Sequence, residues 1–393
     1  MKRILTSLVA VVVMTISATS ISAKQSVMLD LNLAKTQDAP FLLLNDAAKY
    51  SKGGLMLAPS EDFVKLDKFY SLAERMVRYR IKPSDDAVVM FRSSTGDFQV
   101  KMDVPEKKVT LVTSAGIQMD VPFLKGGRSY DVEIQHIYNK AVISVKDVRS
   151  GKKASVSAVN DGPGGCGQGK LQDGFSVGLQ WDHYWFGLQS GTSALVKRIT
   201  VLALKDKVKL LIYGDSITQP EGYFPEADFH NAWTQRIISA LDGNAMSSGR
   251  GGCQIKEVIE FIQNELPYIK TDYVMITIGT NGGNTEENLT QLVEYVKSRG
   301  VTPILNNIPS NESGTQIATN EVIAKVREKT GVKGCLFDLV TSMEGDGKEV
   351  DKSLMFFEDL WEQLRWLVYH HPNGDGGARM FERTLVDVPE IYQ

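Results

Sequence analysis

Val208-Lys209-Leu210-Leu211-Ile212-Tyr213-Gly214-Asp215-Ser216-Ile217-Thr218 is the stretch that decides the fold of the second half of this chain. The apolar run from Val208 to Tyr213 ends in a glycine, which suits a buried parallel strand. Helical faces and further strands alternate after it. Trp233, Ile237, Ile238 and Leu241 recur at helical spacing, as do Ile255, Val258, Ile259 and Ile262. A strand from Tyr273 to Ile278 is expected next, then a helix marked by Leu289, Leu292, Val293 and Val296. A strand from Thr302 to Asn306, a helix around Ile317 to Val326 and a strand from Cys335 to Leu339 complete the series. This alternation predicts an α/β fold with a doubly wound parallel sheet.

Upstream, the period is different. Met76 to Lys82, Phe98 to Val104 and Tyr130 to Gln135 alternate apolar and polar residues, at least in part. Ala141 to Val145 and Ile199 to Leu204 read as more deeply buried strands. Ser94 to Asp97 and Ser150 to Lys152 fit the turns between strands. Short strands at this spacing predict an all-β sandwich, of the jelly-roll or concanavalin-like kind, with strand order unspecified. The period changes at Lys205-Asp206-Lys207, so the expected division is a sandwich over 24–205 and an α/β domain over 206–393. Residues 1–23 have a basic start, an aliphatic run from Ile4 to Ile16 and small residues at Ser22-Ala23. That layout predicts a cleavable signal peptide rather than a permanent membrane anchor, and hence a periplasmic or secreted protein.

Composition narrows the function classes. The chain has 393 residues, 42% hydrophobic and 23% charged, which excludes a disordered chain or a fibre. Its 47 acidic and 44 basic residues nearly cancel, so no basic excess points to nucleic acid. Three cysteines, Cys166, Cys253 and Cys335, are too few for a disulfide framework, although one bridge could form. Buried thiols are the favoured reading. No Cys-x-x-Cys or His-x-x-x-His pair suggests a structural zinc site.

Four segments carry candidate chemistry. Ser216 follows the first α/β strand, where open sheets place their sites, and Gly214 permits the tight turn that exposes it. A plain helix cap would use the same residues. Ser247 to Cys253 is glycine-rich and can present N–H groups to an anion; a simple turn reads equally well. Asn281, in Gly279-Thr280-Asn281-Gly282-Gly283, ends the next strand and can donate into the same crevice. His371, in His370-His371-Pro372-Asn373, is the type of base a serine hydroxyl needs.

Taken in order, these segments resemble the SGNH hydrolases, the GDSL-type esterases. Gly214-Asp215-Ser216, Gly252, Gly279-Thr280-Asn281 and His371-Pro372-Asn373 match the family's blocks over residues 207 to 390. The resemblance implies a nucleophilic Ser216 and a His371 base. It implies an oxyanion hole from the N–H groups of Ser216 and Gly252 with the side chain of Asn281; Gly249 and Gly251 are the substitutes for Gly252. One position departs. The family's acid sits three residues before its histidine, and here that residue is Val368. A Ser–His dyad, a displaced carboxylate or a crippled site would each account for it. Glu358, Asp359, Glu362 and Asp375 are the nearby acids, and His370 is an alternative base.

The fusion of a sandwich to such a domain suggests an acetylated oligo- or polysaccharide as substrate, with no metal or organic cofactor. A lipase or thioesterase is the first alternative, and a glycan-binding protein with a degenerate esterase domain the second. Gly164 to Lys170 imitates a phosphate loop, but Leu171 stands where Ser or Thr would hold magnesium, so a flexible loop is expected. Trp181, His183 and Trp185 share one face of an aromatic stretch that packs in the sandwich or contacts a sugar. Trp361 and Trp366 line a cleft near His371 or simply pack.

Overall fold

The computed structural model describes residues 24–35, 39–92, 99–112, 117–138, 140–159, 184–221, 223–224, 226–357 and 368–393. The signal segment, the turn at Ser94 to Asp97, Cys166 with its glycine-rich stretch, Trp181, His183, Glu358, Asp359, Trp361, Glu362 and Trp366 lie outside them.

Among the described residues, fifteen strands come first. They are β1 (Ser26–Asn32), β2 (Leu42–Leu43), β3 (Ala48–Ser51), β4 (Gly54–Leu57), β5 (Val64–Leu66), β6 (Glu74–Pro83), β7 (Val88–Arg92) and β8 (Gln99–Asp103). Then come β9 (Lys108–Val112), β10 (Ile117–Asp120), β11 (Tyr130–Ile137), β12 (Lys140–Asp147), β13 (Lys153–Val159), β14 (Tyr184–Ser190) and β15 (Ala194–Ala203). One antiparallel sheet runs β13-β12-β11-β6-β15-β4-β3, with β1 also on β15; the other runs β10-β9-β8-β7-β14-β5-β2. Alternation sets the faces: in β11, Tyr130, Val132 and Ile134 are buried and the residues between them are not. The sheets meet through aromatic side chains. Tyr79 of β6 packs on Phe91 of β7 at 4.6 Å and on Phe186 of β14 at 5.4 Å between ring centroids. In β14, Tyr184 and Phe186 are the buried residues. Trp185 faces outward, with Lys65 4.8 Å and Arg92 5.7 Å from its ring.

The rest of the chain is parallel. It contains β16 (Leu210–Gly214), β17 (Ala245–Gly249), β18 (Tyr273–Thr277) and β19 (Thr302–Leu305), in the order β17-β16-β18-β19. Its helices are α1 (Trp233–Ala240), α2 (Ile255–Glu265), α3 (Glu286–Ser298), α4 (Gln316–Thr330), α5 (Phe337–Thr341) and α6 (Gly374–Asp387). The helices cover both faces of the sheet. Leu211, Tyr213 and Ile276 pack with the buried residues of α2 and α3. Leu210, Ile212 and Met275 pack with Trp233, Phe337 and Met380 of α1, α5 and α6. Chain order reverses at β16, so its carboxyl end is the switch point where α/β sheets open a crevice.

One expected element is corrected. Cys335 to Leu339 is not a strand, because α5 begins at Phe337. The chain runs beside β19 through the bridge from Lys333 to Ile304, and the Cys335 carbonyl still accepts the Asn307 N–H at 2.9 Å, before the helix begins. A short, mostly apolar segment, interrupted here by Asp338, fits a strand or a buried helix equally, and packing of Phe337 on Trp233 (5.2 Å) favours the helix.

The two parts interlock. The N–H of Ala73 bonds the Ser247 carbonyl at 2.9 Å. Glu265 of α2 is wholly buried and accepts the N–H groups of Ser71 (2.5 Å) and Leu72 (3.0 Å), while Ser248 donates its hydroxyl to the other oxygen at 3.0 Å. Burial pushes the Glu265 carboxyl up to about 7, against the pull of these donors. Lys205 joins Glu74 (2.8 Å) to the Gly243 carbonyl (2.9 Å).

Candidate active site

Ser216 sits just beyond β16, in a buried position. Gly214 makes that position reachable. A Cβ there would stand 2.1 Å from the Thr218 hydroxyl and 2.2 Å from the Thr277 carbonyl, so only glycine fits. A hydrogen-bonded turn follows, in which Ile217 donates its N–H to Asp215 Oδ1 (3.0 Å) and Thr218 donates to the Asp215 carbonyl (3.1 Å). The Trp233 indole donates to the Ile217 carbonyl at 2.8 Å and holds this turn against α1. No helix starts at Ser216; α1 begins only at Trp233, so the expected helix end is not beside the hydroxyl.

His371 approaches from the C-terminal segment. Its backbone is pinned by the Phe356 N–H on its carbonyl (2.8 Å). Asn373 caps α6 by accepting the N–H groups of Asp375 (3.0 Å) and Gly376 (3.1 Å), and donates to the Ser353 carbonyl (2.8 Å). Two rings pack on that of His371: Tyr223 at 4.2 Å and His370 at 3.8 Å, centroid to centroid. Ser216 and His371 line one narrow cleft, walled also by Tyr223, Phe224, Trp233 and Pro372.

Asn281 and the glycine loop form a neighbouring group. Asn281 Nδ2 donates to the Cys253 carbonyl at 3.1 Å. Gly249 lies against the Ser216 turn, where an added Cβ would stand 2.6 Å from the Gln219 nitrogen. Gly251 also approaches Ser216; its added Cβ would be 3.8 Å from the Ser216 Cβ. Gly252 adopts φ 77° and is exposed, and with Gly251 it lines a separate pocket. Thus Ser216 and His371 share the cleft, whereas Gly252 and Asn281 are not among its walls.

Gln219 joins the two groups, and no feature of the sequence singled it out. Its Oε1 accepts the Gly251 N–H at 2.6 Å and its Nε2 donates to the Glu221 carbonyl at 2.9 Å. Asp215 is a second surprise. Its carboxyl is fully buried, and that burial pushes it up to about 6, although the N–H groups of Ile217, Thr280 and Gly279 and the charge on His370 pull it down. Val368 is half-buried, and Asp375, the displaced acid within the described residues, is exposed. Cys253 and Cys335 are buried and not joined to each other. Among the described residues no cluster of His, Cys, Asp and Glu suits a metal ion, and no helix is long and apolar enough to cross a membrane.

No protein-family model and no curated protein matches the chain. Among solved structures, a variant of Axe2, an acetyl-xylooligosaccharide esterase from Geobacillus stearothermophilus, is 18% identical, over 46% of this chain and 93% of its own, with a TM-score of 0.36. A GDSL-like lipase from Bacteroides thetaiotaomicron is 13% identical over 45% of this chain and 85% of its own, TM-score 0.34. The exoplasmic/lumenal domain of VIP36 is 6% identical over 45% of this chain and 90% of its own, TM-score 0.33.

Proposed function

We propose that this chain is an exported serine esterase that removes acetyl groups from an esterified carbohydrate. In this reading, residues 24–205 form a concanavalin-like sandwich domain, and residues 206–393 an SGNH hydrolase domain. The observation that carries the proposal is the shared cleft of Ser216 and His371 at the switch point of the parallel sheet.

Ser216 attacks the ester carbonyl while His371 takes its proton and later returns one to the leaving alcohol. The negative charge on the carbonyl oxygen is met by the Ser216 N–H, an N–H of the Gly249–Gly252 loop and the Asn281 amide. Within that loop Gly251 already gives its N–H to Gln219, which leaves Gly252 as the donor of choice. Tyr223 and His370 pack on the His371 ring, so these contacts supply part of the orientation that the family's acid gives where Val368 stands. The aromatic walls around Ser216 suit a short acyl group better than a long chain.

Acetate release from acetylated polysaccharides, and from 4-nitrophenyl acetate, tests the reading. Wild type releases acetate, and Ser216→Ala lowers turnover by about a thousandfold or more. Val368 favours the second reading, a glycan-binding protein with a degenerate site. Equal and negligible turnover by both proteins, together with measurable binding to a glycan, would establish that one.

A further inference from the structure

The pocket beside the catalytic cleft shares Gly252 with the chemistry above, and its other walls have no part in it. It is an open pocket whose lining includes Phe69, Arg250, Gly251, Gly252, Glu257 and Phe261. Two separate parts of the chain build it. Phe69 comes from the segment between β5 and β6, and Glu257 and Phe261 come from α2. That segment is tightly held: Asn264 donates to the Phe69 carbonyl at 3.0 Å, and Glu265 accepts the N–H groups of Ser71 and Leu72.

We propose that this pocket seats a sugar ring of the esterified glycan, the alcohol side of the scissile bond. The inference rests on the esterase reading above and adds a subsite to it. Continuity with the site is the first argument. Gly251 borders this pocket while its Cα faces Ser216, so an ester held at Ser216 has its leaving alcohol one glycine away. The chemistry of the walls is the second. A pyranose has apolar C–H faces and a rim of hydroxyls, and here two phenylalanine rings stand with a guanidinium and a carboxylate. Arg250 donates to the Gly251 carbonyl at 3.1 Å and Glu257 accepts the Gln254 N–H at 2.8 Å, so the rim is charged, and a fatty acyl chain would desolvate it without compensation. Position is the third. The pocket is built where the two parts of the chain meet, and Gly252 on its rim is exposed, so the remainder of a polymer has a way out.

The test compares kcat/KM for acetylated xylan- and mannan-derived oligosaccharides with kcat/KM for 4-nitrophenyl acetate, using the full chain. Phe69→Ala should lower the ratio of glycan ester to small ester by about tenfold, mainly through KM. Glu257→Gln keeps the helix cap, since either side chain can close the box on the Gln254 N–H (2.8 Å). It should lower the ratio by about threefold, and it carries the test if Phe69→Ala does not fold. An unchanged ratio in the folded variants overturns the sugar seat. So does wild type that hydrolyses 4-nitrophenyl acetate or octanoate but no glycan ester. Wild type inert on every ester removes the esterase reading, and the sugar seat goes with it.

Discussion

Gln219→Ala tests how the site is held together. Gln219 is buried, 4% exposed, and it makes two hydrogen bonds: 2.6 Å from the Gly251 N–H and 2.9 Å to the Glu221 carbonyl. Alanine leaves both backbone groups without that partner, at about 1–3 kcal/mol for each buried group that finds no other. The Gly251–Gly252 loop then loses one of its ties to the Ser216 turn, the other being the Arg250 N–H on the Gly214 carbonyl at 3.0 Å. If about 1–2 kcal/mol of that loss is felt as poorer positioning in the transition state, kcat falls by about 5- to 30-fold. KM for a small ester should move little, because neither bond is to substrate. Gln219→Glu keeps an oxygen for Gly251 but has no donor for the Glu221 carbonyl, so it should recover part of the loss. The assay is steady-state hydrolysis of 4-nitrophenyl acetate by the three proteins, with thermal melting to confirm folding. A folded Gln219→Ala protein whose kcat stays within twofold of wild type, while Ser216→Ala is inactive, refutes the positioning role.

Other expectations concern stability. Burial pushes Glu265 and Glu221 up to about 7 from an ordinary 4.5. The folded state therefore holds these protons more tightly than the unfolded chain does. The stability they contribute is fully present below about pH 4.5 and is lost as pH rises through 7, by up to about 3 kcal/mol for each group. Denaturant melts at pH 5 and pH 8 should show the decline, and Glu265→Gln should flatten it; stability that rises over this window contradicts the assignment. Glu265→Ala strands the N–H groups of Ser71 and Leu72, and should cost about 3 kcal/mol or more at either pH. Gly214→Ala places a methyl 2.1 Å from the Thr218 hydroxyl, so soluble yield and activity should fall together; a melting temperature equal to wild type would falsify the tight-turn account.

Much of the parallel part was legible from spacing. The apolar faces of α1, α2 and α3 are the ones their periodicity marks, because a helix under a sheet repeats its buried residues at 3.6. Strand order was not legible, since alternation reveals which face is buried but not which strand is the neighbour. The aromatic stretch shows the same limit. Trp185 had to oppose Tyr184 and Phe186, yet only the packing of two sheets decided that Tyr184 and Phe186 go inside. At Cys335 to Leu339 local pattern was ambiguous, and contact with Trp233 made the helix.

The candidate site divides along the same line. Ser216, Asn281 and His371 were identifiable by residue type and position at strand ends, because that chemistry needs a hydroxyl, a donor and an imidazole in a crevice. Their partners were not. Gln219 meets Gly251 across 32 positions, Tyr223 meets His371, and Phe69 faces α2 from the other part of the chain. The sequence by itself determined which groups can react and on which kind of sheet they stand, since composition and period are local properties. Only the tertiary structure decided which of them share a cleft, because hydrogen bonds and ring contacts between distant segments leave no periodic trace.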